Sequence, residues 1–355
     1  MDLPPTLRIL NVIAISIVII VILISNMATM VAFFKVRSLR EKAVNLLILN
    51  LSCADFGMGL IRVYAYPTTA IRYWPYGKFG CQSFSFLSDL FASAGMITTV
   101  AISVDRFLLV SCAYPKYLKI QSRKRIMCII GGIWLIGILL GTSEVLLWDK
   151  LTPAELRDHF DFSKNCRSPP KYNIAFTLLL FTVVIFGPLL AIEIFSIAFV
   201  VQLMRKLRKR VIVHASNSTS LSSQRPNTSV DVLETSVSTT VSRPQGHSNN
   251  SAASGMEPSG SYSMPISRND PNKRYKKAAV VLGALVMVVN ICTLPYVLYT
   301  IIISFFCPRC NNSNIRTMLG NLLYLNSAIN PFLYAATMSK IRQFYKRVLC
   351  KCNWH

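Results

Sequence analysis

Residues 81–107 read CQSFSFLSDLFASAGMITTVAISVDRF, and the fold of the whole chain turns on them. The stretch opens on Cys81, crosses a long apolar ground carrying Ser88, Asp89 and Gly95, and closes on Asp105, Arg106 and Phe107. At 1.5 Å per residue, a helix from Cys81 to Arg106 is roughly 37 Å long. That length crosses the ~30 Å hydrocarbon core of a bilayer with both ends in the interfaces. Such a helix carries a cysteine at one membrane face, a polar site at mid-depth and a charged pair at the other face.

The composition supports a membrane setting. The chain is 52% hydrophobic and 15% charged, against about 25% charged in soluble domains. Several uncharged runs exceed the ~18 residues that indicate a membrane span. The net charge of +23 does not point to nucleic acid, because the basic residues sit beside apolar runs. Lys35, Arg37, Arg40 and Lys42 form one such cluster, and Lys273, Arg274, Lys276 and Lys277 another. This is the positive-inside pattern, which orients spans and attracts anionic cytoplasmic lipid. The first run follows only Asp2 and Arg8, has no basic leader and is too long for a signal-peptide core. It is expected to be retained as a first span, with the N-terminus outside.

Seven spans are predicted, at 9–34, about 43–66, 81–112, 126–148, about 172–204, about 278–306 and about 317–339. An odd number leaves the C-terminus inside. The expected fold is an all-α, seven-helix bundle formed by residues 1–349, followed by a short cytoplasmic tail at 350–355. Residues 211–272 are rich in Ser, Thr, Asn, Pro and Gly and predict a disordered third cytoplasmic loop. That loop is either a plain linker or a phosphorylation platform. The sequons at Asn217, Asn227 and Asn249 fall on its inner side, which leaves Asn311 as the one well-placed glycan acceptor. After the last span, Ile341, Phe344, Tyr345, Val348 and Leu349 recur at helical spacing opposite Lys340, Arg342, Lys346 and Arg347. This predicts a short amphipathic eighth helix lying along the inner leaflet. Cys350 and Cys352 follow it as candidate palmitoylation sites or as free thiols.

Four of the ten cysteines fall on the outer side: Cys81, Cys166, Cys307 and Cys310. Disulfides form in that compartment. A Cys81–Cys166 bond would tie the second outer loop to the third span, and Cys307 with Cys310 would close a bond within its own loop. A lone C-x-x-C without a nearby His is weak for metal. Polar residues at membrane depth are costly and face the bundle interior. Here they are Asn26, Asp55, Asp89, Glu144, Asn326, Ser327 and Asn330, with Glu193 standing apart. Pro188, Pro295 and Pro331 each remove a helix hydrogen bond and permit kinks. Kinked helices around a polar core describe a signalling protein or a transporter. Transporters commonly show internal repeats, and none is visible here. An intramembrane hydrolase would need a group such as Ser with His, and all four histidines lie outside the spans.

The ordered markers resemble those of rhodopsin-like (class A) G protein-coupled receptors over nearly the whole chain. They are Asn26, the run Leu51-Ser52-Cys53-Ala54-Asp55, Trp74, Cys81 with Cys166, Asp105-Arg106-Phe107 for DRY, Trp134, Pro188, Cys292-Thr293-Leu294-Pro295 for CWxP, and Asn330-Pro331-Phe332-Leu333-Tyr334 for NPxxY. The resemblance implies a plasma-membrane receptor that activates heterotrimeric G proteins, a binding and switching protein and not an enzyme. Arrestin and receptor kinases are the further partners expected. Arg106 would pair with Asp105 at rest and reach the G protein when active, with Phe107, Asn330, Pro331 and Tyr334 in the same switch. Asp55, Asn326, Ser327 and Asn330 would line the cavity where relatives hold sodium.

The departures from the pattern carry expectations of their own. Thr293 replaces the Trp of CWxP, Ser196 replaces a Tyr partner of Tyr334, Tyr275 stands near the place of an acidic lock on Arg106, and Gly95 removes a sodium-site Ser. Weak restraint at rest, and hence measurable basal activity, is expected. Tyr324 stands where opsins carry the retinal lysine, so a retinal cofactor is not expected. Ser88 stands in the amine-binding register and Asp89 one residue on, turned by ~100° toward the fourth span. Glu144 would lie near Asp89, and two carboxylates favour a cationic ligand or share a proton. Phe84, Tyr296, Tyr299 and Tyr324 are the candidate aromatic lining. Small molecules, lipids and short peptides are the ligand classes expected.

Overall fold

The computed structural model describes residues 5–71, 73–147, 174–222, 271–307 and 312–352, with Lys150, Thr152, Asp161, Phe162, Cys166 and Cys310 between them. All regular structure among these residues is helical. Eight principal helices follow in order: α1 (Pro5–Lys35), α2 (Asn45–Tyr64), α3 (Gly77–Ser111), α4 (Arg123–Leu146), α5 (174–222), α6 (271–306), α7 (Ser313–Thr337) and α8 (Ser339–Cys352). The first six are long and apolar enough to cross a membrane by length and composition. α7 is long enough at 25 residues, but Asn321, Asn326, Ser327 and Asn330 dilute its hydropathy. Those side chains are half-buried or buried, turned into the bundle. The opposite surfaces of the bundle expose Ile13, Ile17, Ile24, Leu139, Ile197 and Met287, as lipid-facing surfaces do.

α3 is the axis, packing against α2, α4 and α5. Its contact with α4 is close because glycines lie on the meeting face. A Cβ on Gly141 would stand 2.7 Å from the Phe86 carbonyl oxygen, and one on Gly137 3.0 Å from that of Leu90. A polar tie joins three helices at this level. Trp134 Nε1 of α4 donates to Asn50 Oδ1 of α2, and Asn50 Nδ2 donates to Thr98 Oγ1 of α3, both at 2.8 Å. The Phe91 and Trp134 rings meet edge-on at 5.9 Å.

The prolines act on the backbone in two ways. Before Pro188, α5 widens into a π-turn at Thr182–Phe186 and resumes as α-helix at Gly187. A proline in a helix clashes with the carbonyl four residues back, and a wider turn relieves that contact. In α7 the missing N–H of Pro331 releases the Ser327 carbonyl. Asn26 Nδ2 of α1 donates to that oxygen at 3.1 Å, so a freed backbone acceptor becomes an α1–α7 bond.

α8 turns off α7 at Met338 and lies along α1. Ile341 is fully buried while Lys340, Arg342, Lys346 and Arg347 are exposed, as the amphipathic pattern predicts. Tyr345 Oη and Thr29 Oγ1 lie 2.6 Å apart. Burial raises the Tyr345 phenol above its ordinary range, with the Thr29 hydrogen bond pulling the other way.

Both disulfides are formed: Cys81 to Cys166, and Cys307 to Cys310, each with Cα atoms 5.3 Å apart. The stretch 211–272 read as a disordered loop needs correction at its ends. α5 continues as helix to Ser222 and α6 starts at Pro271. No Pro or Gly interrupts 206–222, and Pro271 suits the first position of a helix. Residues 223–270, including the sequons at Asn227 and Asn249, lie outside the described residues, as does Asn311. Asn217 stands in the α5 extension. The side chains of Tyr275, Cys350 and Cys352 are likewise not described.

Candidate functional site: a central cavity and its two ends

The bundle encloses a central cavity of about 310 Å³ between α2, α3, α5, α6 and α7. Ser88, Asp89, Tyr296 and Tyr324 line one part of it, and Asp55, Asn326 and Ser327 another. The two parts are continuous because small residues stand between them. Thr293 takes the place of a bulky ring, and a Cβ on Gly95 would meet only Leu51, at 3.9 Å. The expected ligand pocket and the expected polar core are therefore one space.

At the polar core, Ser327 Oγ donates to Asp55 Oδ1 at 2.6 Å and Asn330 Nδ2 donates to Asp55 Oδ2 at 2.9 Å. Asp55 is 3% exposed, and the two donors are neutral. Asn326 Oδ1 is buried without a hydrogen-bond partner and belongs to the same cavity wall. These oxygens fit a hard monovalent cation, to which Gly95 adds none.

Asp89 lies on the α3 face that meets α4. Leu90 and Ser93 pack against Gly137, and Phe86 against Gly141. Asp89 is buried and still reaches the cavity wall. Glu144, three residues beyond Gly141 on the same α4 face, is wholly buried. It is absent from the described lining of that cavity. Ser88 Oγ is taken up by the Phe84 carbonyl at 2.6 Å. Phe84 itself lines a vestibule beyond the cavity, edge-on to Trp74 at 5.6 Å. Tyr299 is corrected from cavity lining to a cap: its hydroxyl donates to the Asn312 carbonyl at 3.0 Å, next to the start of α7.

At the far end, a second cavity of about 280 Å³ is lined by Arg106, Tyr117, Leu285, Tyr334 and the α7–α8 turn. Arg106 Nε stands 3.6 Å from Asp105 Oδ2. Tyr117 Oη donates to Asp105 Oδ1 at 3.1 Å. No other carboxylate among the described residues pairs with Arg106. Phe107 leans on Phe195 of α5 with ring centroids 6.0 Å apart. Tyr334 is buried with its hydroxyl unpartnered. A buried hydroxyl without a partner carries a desolvation cost. Ser196 is buried, and its Oγ is likewise unpartnered.

The family described as "7 transmembrane receptor (rhodopsin family)" matches residues 25–334, nearly the entire bundle. The chain belongs to the rhodopsin family of seven-transmembrane receptors. It is a multi-pass membrane protein. Human melanopsin is 28% identical over 190 residues, covering 52% of this chain and 38% of melanopsin. Melanopsin-A of Danio rerio is 29% identical over 195 residues, 53% of this chain and 31% of its own length. The 5-hydroxytryptamine receptor 4 of Cavia porcellus is 24% identical over 340 residues, 94% of this chain and 78% of that receptor. The chain thus spans less than two fifths of the melanopsins it matches.

Three features of this receptor carry no motif and were not singled out from the residues. One is Asn50 in the three-helix tie. Another is Asn290 of α6, whose Nδ2 donates to Glu193 Oε1 of α5 at 2.6 Å and so gives Glu193 its partner. The third is Arg62 of α2, whose guanidinium lies 4.4 Å over the Tyr324 ring. Tyr324 is engaged there, and no lysine stands among the described cavity-lining residues.

Proposed function

We propose that the chain is a G protein-coupled receptor of the plasma membrane, with its N-terminus and disulfides outside, that promotes nucleotide exchange on heterotrimeric G proteins. The observation that carries this reading is the Arg106 end. A guanidinium held by one adjacent carboxylate borders a cavity that Tyr334 and the α7–α8 turn also line. Outward movement of α6, which contributes Leu285 to that cavity, would open it to a G protein segment. The family match does not favour a transporter. Arrestin and receptor kinases belong to the same reading, with the Ser/Thr-rich stretch within 211–272 as the phosphorylated segment and Cys350 and Cys352 as palmitoylation sites.

Among the described residues Arg106 has one ionic partner, Asp105, so ligand-free turnover is part of the proposal. Asp105→Asn removes the charge that restrains Arg106 and leaves an oxygen for Tyr117. It is expected to raise ligand-free GTPγS binding on purified G proteins about threefold or more, since a partly buried ion pair holds of order 1 kcal/mol. An exchange rate unchanged or lowered at equal receptor density would remove the restraint from the account.

For the ligand, Asp89 and Asp55 in one continuous cavity support a small molecule with a cationic group. Retinal forms no part of this reading. Asp55, Ser327 and Asn326 would hold a sodium ion, which supplies a counter-charge when bound. Asp89→Asn is expected to weaken a cationic agonist, found by an amine panel read through second messengers, by about 2 kcal/mol or more. Unchanged potency would take Asp89 out of the site.

A further inference from the structure

Beyond the central cavity, at the disulfide end, lies a vestibule of about 440 Å³. Its charged lining residues are Arg8 of α1 and Arg62 of α2, with no carboxylate among the described lining residues. Arg8 Nη2 donates to the Ala70 carbonyl at 3.1 Å. Arg62 rests on Tyr324 and donates to Asn321 Oδ1 at a long 3.4 Å. Asn321 is oriented in turn, its Nδ2 donating to Asn11 Oδ1 at 3.2 Å. A guanidinium has five N–H donors in a planar fork matched to carboxylate and phosphate, and most of those on Arg62 are uncommitted. Neither arginine pairs with a carboxylate among the described residues.

Arg62 also borders a second space. A cleft of about 200 Å³ runs between α1 and α7, walled by Ile15, Val18, Ile19, Ile22 and Leu325. Asn11, Asn321 and Tyr324 join Arg62 in its lining, the rest of the described lining is apolar, and Arg62 is the one charged residue among them. A half-buried cation thus stands at the junction of a polar vestibule and an apolar cleft. Arg62 is partly buried, and no carboxylate among the described lining residues of either space neutralises it; a partly desolvated charge left unpaired is costly. An occupant with an acid at one end and hydrocarbon behind it satisfies both spaces.

We propose that Arg62, with Arg8, binds the acidic head of a single-chain amphiphile whose tail lies in the α1–α7 cleft. This is a second site, separate from the cationic-ligand cavity, although Tyr296, Leu323 and Tyr324 border both. It stands on the vestibule geometry and does not depend on G protein coupling.

The test uses the full chain in phosphatidylcholine nanodiscs, with radiolabelled oleate as probe and oleyl alcohol, acetate and inorganic phosphate as competitors. Saturable oleate binding is expected, with oleyl alcohol a poor competitor and the small anions weak ones. Arg62→Gln is expected to weaken oleate about tenfold or more, as loss of a charge-assisted pair does, and Arg8→Gln by less. Absence of saturable binding would overturn the proposal, as would equal competition by oleyl alcohol or unchanged affinity in folded Arg62→Gln. Acetate or phosphate matching oleate would reduce the site to one for small anions and overturn the amphiphile. The competitor series needs no variant, so misfolding of Arg62→Gln would leave the question decidable. Oleate binding alongside failed nucleotide exchange would separate this site from the receptor reading.

Discussion

Gly141→Leu is expected to prevent the bundle from assembling at normal yield. The first added carbon would meet the Phe86 carbonyl oxygen at 2.7 Å and the Phe86 ring at 2.8 Å. A ring can rotate away, but a backbone carbonyl inside a helix cannot, so α3 and α4 must separate. Overpacking of this kind costs about 3 kcal/mol or more. The separation would also strain the Trp134–Asn50–Thr98 tie and the burial of Glu144. Gly131→Ala and Gly132→Ala on the same helix are the control, since a Cβ there meets nothing within 4 Å. Each is expected to be neutral or stabilising by up to about 1 kcal/mol. Thermal unfolding of the purified variants followed by circular dichroism compares them. A Gly141→Leu protein melting with the wild type would show that α3 and α4 are held apart by something other than these glycines.

Much of this architecture is legible in the sequence. The spans follow from uncharged runs whose length is set by the bilayer, and α8 follows from a period of 3.6 with lysines and arginines opposite. The Asp55–Ser327–Asn330 cluster was legible because a carboxylate at membrane depth must find donors inside the bundle, and α7 was the helix that offered them. The same logic left Asn50 unread. Its partners Thr98 and Trp134 lie 48 and 84 residues away, and an Asn in an apolar run does not declare which neighbour it meets. The π-turn before Pro188 was also out of reach: a proline signals a lost hydrogen bond, but packing decides whether the helix kinks or widens.

The site divides in the same way. Ser88, Asp89, Tyr296 and Tyr324 do meet in one cavity. Thr293 departs from the family pattern in the sequence, but that its small side chain leaves the space beside Asp89 continuous with that beside Asp55 is a tertiary fact. Glu144 was expected beside Asp89 in the pocket. In the structure Asp89 borders the cavity, and Glu144 is buried on the α4 face that carries Gly137 and Gly141. Arg62 carries no signal in the sequence, because a cation near a span end normally extends to water. Its stacking on Tyr324 is a tertiary fact, made by two helices that meet only in the folded bundle.

Arg106→Ala is expected to lower receptor-promoted exchange to the intrinsic rate of the G protein alone. The side chain lines the cavity at the Arg106 end and is held 3.6 Å from Asp105. With Asp105 also bound by Tyr117, the aspartate stays in place when the arginine leaves, so little fold stability rides on Arg106. Truncation to Ala should therefore separate coupling from folding. The decisive measurement is ligand-free GTPγS binding to a panel of purified heterotrimeric G proteins, with wild-type and Arg106→Ala receptor at equal density in nanodiscs. The account predicts exchange above the G protein's own rate with the wild type on at least one G protein. It predicts a fall of about tenfold or more with the variant, equivalent to ~1.4 kcal/mol of lost transition-state stabilisation. Equal exchange by the two proteins would contradict it.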